Sequence, residues 1–192
     1  MINTKKAKPE RMITMDNKIK LLDCLYKDMI AYFAGDPKRI QHFIKVHSFA
    51  KLIAQNENLA DEQLLIVEAA AYVHDIGIKP AEQKHGKCNG KLQEQYGPPE
   101  AETILQACGF SEQQIKRISY LVGHHHTYTG IDGIDYQILV EADFLVNLYE
   151  DNCKKETIQH TYQKIFKTKT GRSICRTMFG IDITVPKSPK II

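Results

Sequence analysis

Residues 61–75, DEQLLIVEAAAYVHD, constrain this chain more than any other stretch. Asp61 caps a helix that Gly77 and Pro80 terminate, and Ala69–Val73 run apolar before the segment ends on a histidine beside an aspartate. A helix with so apolar a course must be covered by other elements, while His74 and Asp75 emerge where it ends. An unpaired buried carboxylate is costly, so Asp75 needs a partner. On spacing alone, a lysine for Asp75 and a backbone carbonyl for His74 serve as well as a metal ion held between this helix and its neighbour.

The surrounding chain supplies helices to cover it. Ile19, Leu22, Leu25, Tyr26, Met29, Ile30 and Phe33 recur at helical intervals up to Gly35. Asp36-Pro37 opens a second helix through about Gln55. Residues 77–97, with their glycines and lysines, read as a long loop with at most a short helical turn, and Pro98-Pro99 starts a helix that Gly109 ends. Ser111 and Gln114 form a capping box for a helix through His125. Another helix begins at Asp132–Asp135 and carries Leu139, Val140 and Leu145; a last one spans about Lys155–Phe166, after which TGRSICRTMFGI folds back on the body. Strand-like alternation is confined to a weak Ile181–Val185, so the fold class is all-α, a compact single-domain helical bundle. Residues 1–14 and 186–192 are expected to be tails and 15–185 the domain.

Composition excludes several functions. The chain of 192 residues is 43% hydrophobic and 26% charged, a balance that suits one soluble globular domain. A net charge of +3, with lysines scattered among acids, argues against nucleic acid as a partner. No run approaches the ~18 apolar residues of a membrane span. Met1–Thr14 has no apolar signal core, and the five cysteines are odd in number with no C-x-x-C pair, so cytoplasmic location and free thiols are expected.

The remaining polar signals are histidines and acids on apolar faces. His42 stands four, eight and eleven residues before Val46, Ala50 and Ile53, which puts it on the inward stripe; His47 points away from it. Asp143 interrupts an apolar helix with Leu139 and Val140 on its own face, and needs a buried partner or a surface position. His124, His125 and His126 are consecutive. Imidazole with carboxylate suits zinc, iron, manganese, nickel or cobalt, whereas calcium or magnesium sites are richer in oxygen.

The ordered set His42 in HFIKVHSFA, His74-Asp75 in AAYVHDIG, His124-His125 and Asp143 in EADFLV resembles the HD-domain metal-dependent phosphohydrolases over about residues 36–150. The resemblance implies that His42, His74, Asp75 and Asp143 hold one divalent ion (manganese, iron, cobalt, nickel, zinc or magnesium). His124 and His125 stand ready for a second, which Asp75 would bridge. It also implies hydrolysis of a phosphate ester or pyrophosphate of a nucleotide or similar small metabolite. Asp75, His124 and Lys79 are then the catalytic candidates, and Lys45, Lys79, His126 and Tyr128 the substrate contacts.

Two positions depart from the pattern. Many two-metal members carry another histidine where the helix after the dyad starts, and here that region reads QYGPPEA, leaving His85 as a substitute; nucleotidase-like members keep a glutamate at the position of Ile78. The alternatives are an HD-like di-iron oxygenase and a non-catalytic nucleotide-binding domain. The apolar segment Ile174–Ile183 either covers the core or forms a homodimer contact.

Overall fold

A computed structural model describes residues 14–181 and contains nine helices and no strand among them. They are α1 (Met15–Tyr32), α2 (Pro37–Asn56), α3 (Asp61–Val73), α4 (Ile78–His85), α5 (Gly90–Cys108), α6 (Glu112–Val122), α7 (Ile134–Glu150), α8 (Lys155–Ile165) and α9 (Lys169–Phe179). No helix is long and apolar enough to cross a membrane among the described residues. The expected tails, residues 1–13 and 186–192, and all but the first residue of the weak strand signal lie outside them.

The helix ends form where local chemistry stops them. Asp36 accepts from the Arg39 amide ahead of Pro37, and Ser111 and Gln114 cap each other's backbones as the sequence indicates. α3 is the axis of the bundle. Every residue from Leu64 to Val73 is buried, and the helix packs against α1, α2, α6 and α7. Fully burying side chains such as Leu65, Val67 and Val73 stabilises the fold by roughly 1.5–3 kcal/mol each. Glu68 is the one charge in this stretch, and it is matched by Lys18 at 2.9 Å and His47 at 3.1 Å. His47 is thereby taken up by Glu68 and stacks on Tyr72.

The segment expected as a loop, 77–97, is helical through α4 and the first half of α5. Pro98 and Pro99 lie inside α5 rather than at its start. Proline lacks the N–H of the helical ladder, yet the helix continues because its flanks are packed on α4 and α6. Of the glycines in this stretch, Gly86 ends α4 in the left-handed region, while Gly77, Gly90 and Gly97 are sites of close approach. A Cβ on Gly77 would stand 2.5 Å from the Gln93 carbonyl and 2.7 Å from the Gly97 amide, so α5 crosses the turn after the dyad backbone to backbone. Gly77→Ala is therefore expected to push α5 off that turn and destabilise the protein by about 2 kcal/mol; a thermal unfolding midpoint equal to wild type would contradict this contact.

The segment TGRSICRTMFGI does fold back, as α9, against α2, α7 and α8, with Cys175 and Ile181 buried. Its start is held by Glu141, a buried carboxylate of α7. Glu141 Oε1 accepts from the amides of Lys167 at 2.5 Å and Thr168 at 2.8 Å, and Oε2 accepts from Thr168 Oγ1 at 2.5 Å.

Candidate metal centre

Three helices bring the first donor set together. His42 comes from the second turn of α2, His74 and Asp75 from the end of α3, and Asp143 from the middle of α7. α2 packs on both α3 and α7, so the inward faces of all three meet at one point. His42 Nε2 lies 3.2 Å from His74 Nε2, 3.2 Å from Asp143 Oδ1 and 3.5 Å from Asp75 Oδ2. His74 Nε2 is 3.5 Å from the same oxygens of Asp75 and Asp143. Neighbouring donors around an ion with bonds of about 2.1 Å stand about 3.0–3.4 Å apart, from octahedral to tetrahedral geometry.

The protons of the two imidazoles are placed elsewhere. His74 Nδ1 donates to the Ala71 carbonyl at 2.9 Å, and His42 Nδ1 sits 3.0 Å from Glu150 Oε2. A carbonyl and a carboxylate only accept, so in the neutral rings Nδ1 carries the hydrogen and Nε2 a lone pair. Two imidazole lone pairs and two carboxylate oxygens then converge with no hydrogen among them. Such a set is electron-rich and buried, and it fits a divalent cation.

The titration behaviour has the same cause. Burial resists charging His42, but the carboxylates of Asp143 and Asp75 outweigh it and raise its pKa to about 9. His74 is raised in the same way against its own burial, by Asp75 and Asp143. Burial pushes Asp75 up, yet His74, His125 and His42 hold it well below the usual carboxylate range. The pocket calls for positive charge, and protons on the histidines are what supplies it without an ion.

A second donor set shares Asp75. Asp75, His125 and His126 each present a ligand atom within 4.8 Å of the others, and His125 Nε2 is 3.6 Å from Asp75 Oδ1. His125 Nδ1 donates to the Val122 carbonyl at 2.8 Å, which again leaves Nε2 as the donor. Burial, reinforced by His125, lowers the His126 pKa to about 4, so its ring is neutral at neutral pH.

His124 joins neither set. α6 ends at Val122 and the three histidines follow a turn, in which successive side chains diverge by about 100° as in a helix. His125 therefore faces Asp75, while His124 stacks on Tyr120 with its Nδ1 at the Tyr120 carbonyl, 2.7 Å away. It lines a separate groove between α5 and α6 with Glu94, Glu102 and Lys116. The pair expected as donors, His124-His125, is in geometry His125-His126.

The other expected residues are placed as follows. Lys79 Nζ donates to the Tyr32 carbonyl at 2.8 Å and lies over the Tyr32 ring, so α4 turns it to the end of α1 rather than to the donor cluster. Lys45 pairs with Glu150, the carboxylate that holds His42 Nδ1. Tyr128 packs on Phe144 with its hydroxyl 3.4 Å from His126 Nδ1. His85 bonds the Tyr96 hydroxyl and contributes to neither donor set.

Several residues at the centre escape a reading of the sequence. Gln93 Oε1 stands 2.8 Å from His126 Nε2 and 3.2 Å from His125 Nε2, and it comes from a part of α5 that reads as loop. Asn147 donates to Asp143 Oδ1 at 2.8 Å. Asn147 and Glu150 are four and seven residues after Asp143, so helical spacing placed them on its face and was the available signal.

Residues 39–167 match the HD domain family. The chain belongs to that family. A solved structure from an uncultured Thermotogales bacterium, described as a predicted HD superfamily hydrolase, shares the fold at a TM-score of 0.54 and 24% identity, over 90% of this chain and 88% of that one. No curated protein matches the chain. The HD assignment and the donor sets support the general class of metal-dependent hydrolase.

Proposed function

We propose that this HD protein hydrolyses a phosphate ester or pyrophosphate bond of a nucleotide or similar small phosphorylated metabolite. The observation that carries the reading is the convergence of His42 Nε2, His74 Nε2, Asp75 Oδ2 and Asp143 Oδ1, each histidine nitrogen standing 3.2–3.5 Å from both carboxylate oxygens. When bound, a divalent ion supplies a water that ionises near neutral pH and a positive charge for phosphoryl oxygens. His42, His74, Asp75 and Asp143 would hold it, with Asp75 shared by His125 and His126.

The chain's own residues supply orientation and access. Glu150 and the Ala71 carbonyl fix the tautomers of His42 and His74, and Asn147 fixes the Asp143 carboxylate. The Asp75 side chain is 18% exposed while His74 is fully enclosed, so the substrate approaches from the Asp75 side. His126 and Tyr128 stand at that rim. Burial, with Asp143 and Glu94 nearby, raises the Tyr128 pKa to about 12, which keeps its hydroxyl protonated to donate to a phosphoryl oxygen. Lys45 and Lys79 are engaged with Glu150 and Tyr32. Lys45 would act on His42 through Glu150, and substrate charge would be met chiefly at the donor cluster.

The test is elemental analysis of the purified protein together with phosphate release from a panel of nucleotides and phosphomonoesters, with manganese, cobalt or nickel added and withheld. Metal-dependent release from at least one of them is expected. Iron at two per chain with oxygen-dependent turnover would replace hydrolysis by oxidation, and nucleotide binding without any turnover would leave a binding domain.

A further inference from the structure

Two cysteines far apart in the sequence meet where α1 packs on α5. Cys24 and Asp28 are one turn apart on α1 and share a face, and Cys108 is the last residue of α5. Both thiols reach the same oxygen: Cys24 Sγ is 3.8 Å and Cys108 Sγ 3.4 Å from Asp28 Oδ2, and the three donor atoms lie within 4.8 Å of one another. All three side chains are half-buried, and the partners of this carboxylate among the described residues are the two thiols rather than a lysine or arginine. The end of α5 is held in place by Gly109, in the left-handed region with its amide on the Leu105 and Gln106 carbonyls.

The distances match a particular coordination. A tetrahedral ion with metal–sulfur bonds of about 2.3 Å and metal–oxygen bonds of about 2.0 Å needs sulfur-to-oxygen edges of about 3.5 Å. The two edges present, 3.4 and 3.8 Å, bracket that value. Two sulfurs with one carboxylate select zinc, cadmium or cobalt over magnesium, calcium or manganese, whereas the HD centre presents only nitrogen and oxygen.

We propose that Cys24, Asp28 and Cys108 form a second kind of cation site, distinct from the HD centre, that takes a thiophilic divalent ion with its fourth position open to water. On binding, two S–H bonds break, two metal–sulfur bonds form, two protons leave to solvent and no electron is transferred. Because both thiol protons must leave, uptake of the ion is favoured as pH rises. The bound ion clips α1 to α5, the helix that carries Gln93 to the HD histidines.

Titration of the reduced, metal-free protein with Cd²⁺ or Co²⁺ tests this, read by thiolate-to-metal charge-transfer absorption. A band that saturates at one equivalent is expected. The paired substitutions Cys24→Ser and Cys108→Ser should abolish it and lower the bound cadmium by one equivalent, with an unchanged circular dichroism spectrum showing that the fold is kept. Cys88→Ser, at a thiol beside Gln93, and Asp143→Asn, within the HD centre, should both retain the band. The site is thus tested independently of the proposed hydrolysis. No band in the wild-type protein, or a band that survives the double substitution, overturns the proposal. So does a Cys24–Cys108 disulfide whose reduction yields no cadmium band, which would make the cysteines a redox pair.

Discussion

Asp75→Asn is expected to strip the protein of its metal and lower hydrolysis by on the order of 10³-fold, about 4 kcal/mol of transition-state stabilisation. Asp75 is the one side chain common to both donor sets, with Oδ2 on the His42–His74 side and Oδ1 on the His125 side. An amide keeps the shape but removes the negative charge, and it can present an oxygen to only one of the two sets. Both metal content and turnover should therefore fall together, while the helical fold persists because the substitution is close to isosteric. Elemental analysis beside a phosphate-release assay measures this. Retention of metal and rate by the asparagine variant would sink the HD-centre reading.

Glu141→Leu should cost at least about 3 kcal/mol of stability with no direct effect on the donor cluster. Its carboxylate is fully buried and accepts from the Lys167 and Thr168 amides, the Thr168 hydroxyl and Gln137 Nε2. A leucine of similar size leaves the buried Thr168 amide and hydroxyl without this acceptor, each worth about 1–3 kcal/mol, and removes one further bond each from the Gln137 side chain and the Lys167 amide. The same carboxylate leaves no room at Gly171, where an added Cβ would meet Glu141 Oε2 at 1.9 Å. α9 should therefore loosen first, seen as faster amide exchange at residues 169–179 and a lower unfolding midpoint in urea. An unfolding curve that superimposes on wild type would show that the start of α9 does not depend on Glu141.

The contrast between Asp143 and Glu141 shows what one-dimensional reasoning reaches. Both acids sit on α7 among apolar residues, and both need buried partners. Asp143 was placed by its neighbours Leu139 and Val140 and by its order after His42 and His74-Asp75. Glu141 projects from the opposite side of the helix, and its partners come from the α8–α9 connection, which no spacing on α7 could supply. The histidine run divides on similar grounds. Its composition marks the stretch, but which ring faces Asp75 depends on where α6 ends and how the turn rotates, and that selected His125 and His126 over His124.

Residues 77–97 are the largest departure between expectation and structure. Four glycines, with a Pro-Pro pair just beyond them, disfavour a continuous helix locally, and local propensity amounts to at most about 1 kcal/mol per glycine and about 3 per interior proline. Packing against α4 and α6 outweighs that, and Gly77 and Gly97 are needed for the backbones to touch. Gln93 reaches the histidines only because of that crossing. Cys24 and Cys108 meet only because α5 returns to α1.

The resemblance implied a metal at His42, His74, Asp75 and Asp143; the sequence by itself determined the helical class, the caps and the inward placement of those four residues on α2, at the end of α3 and on α7. Those follow from periodicity and from the cost of burying charge, both of which are local. Tertiary structure alone decided which of three adjacent histidines faces Asp75, which glutamates fix the rings and the last helix, and which thiols share a carboxylate. These depend on contacts between helices far apart in the chain, where the rotation of one helix by a single residue turns a side chain by about 100°.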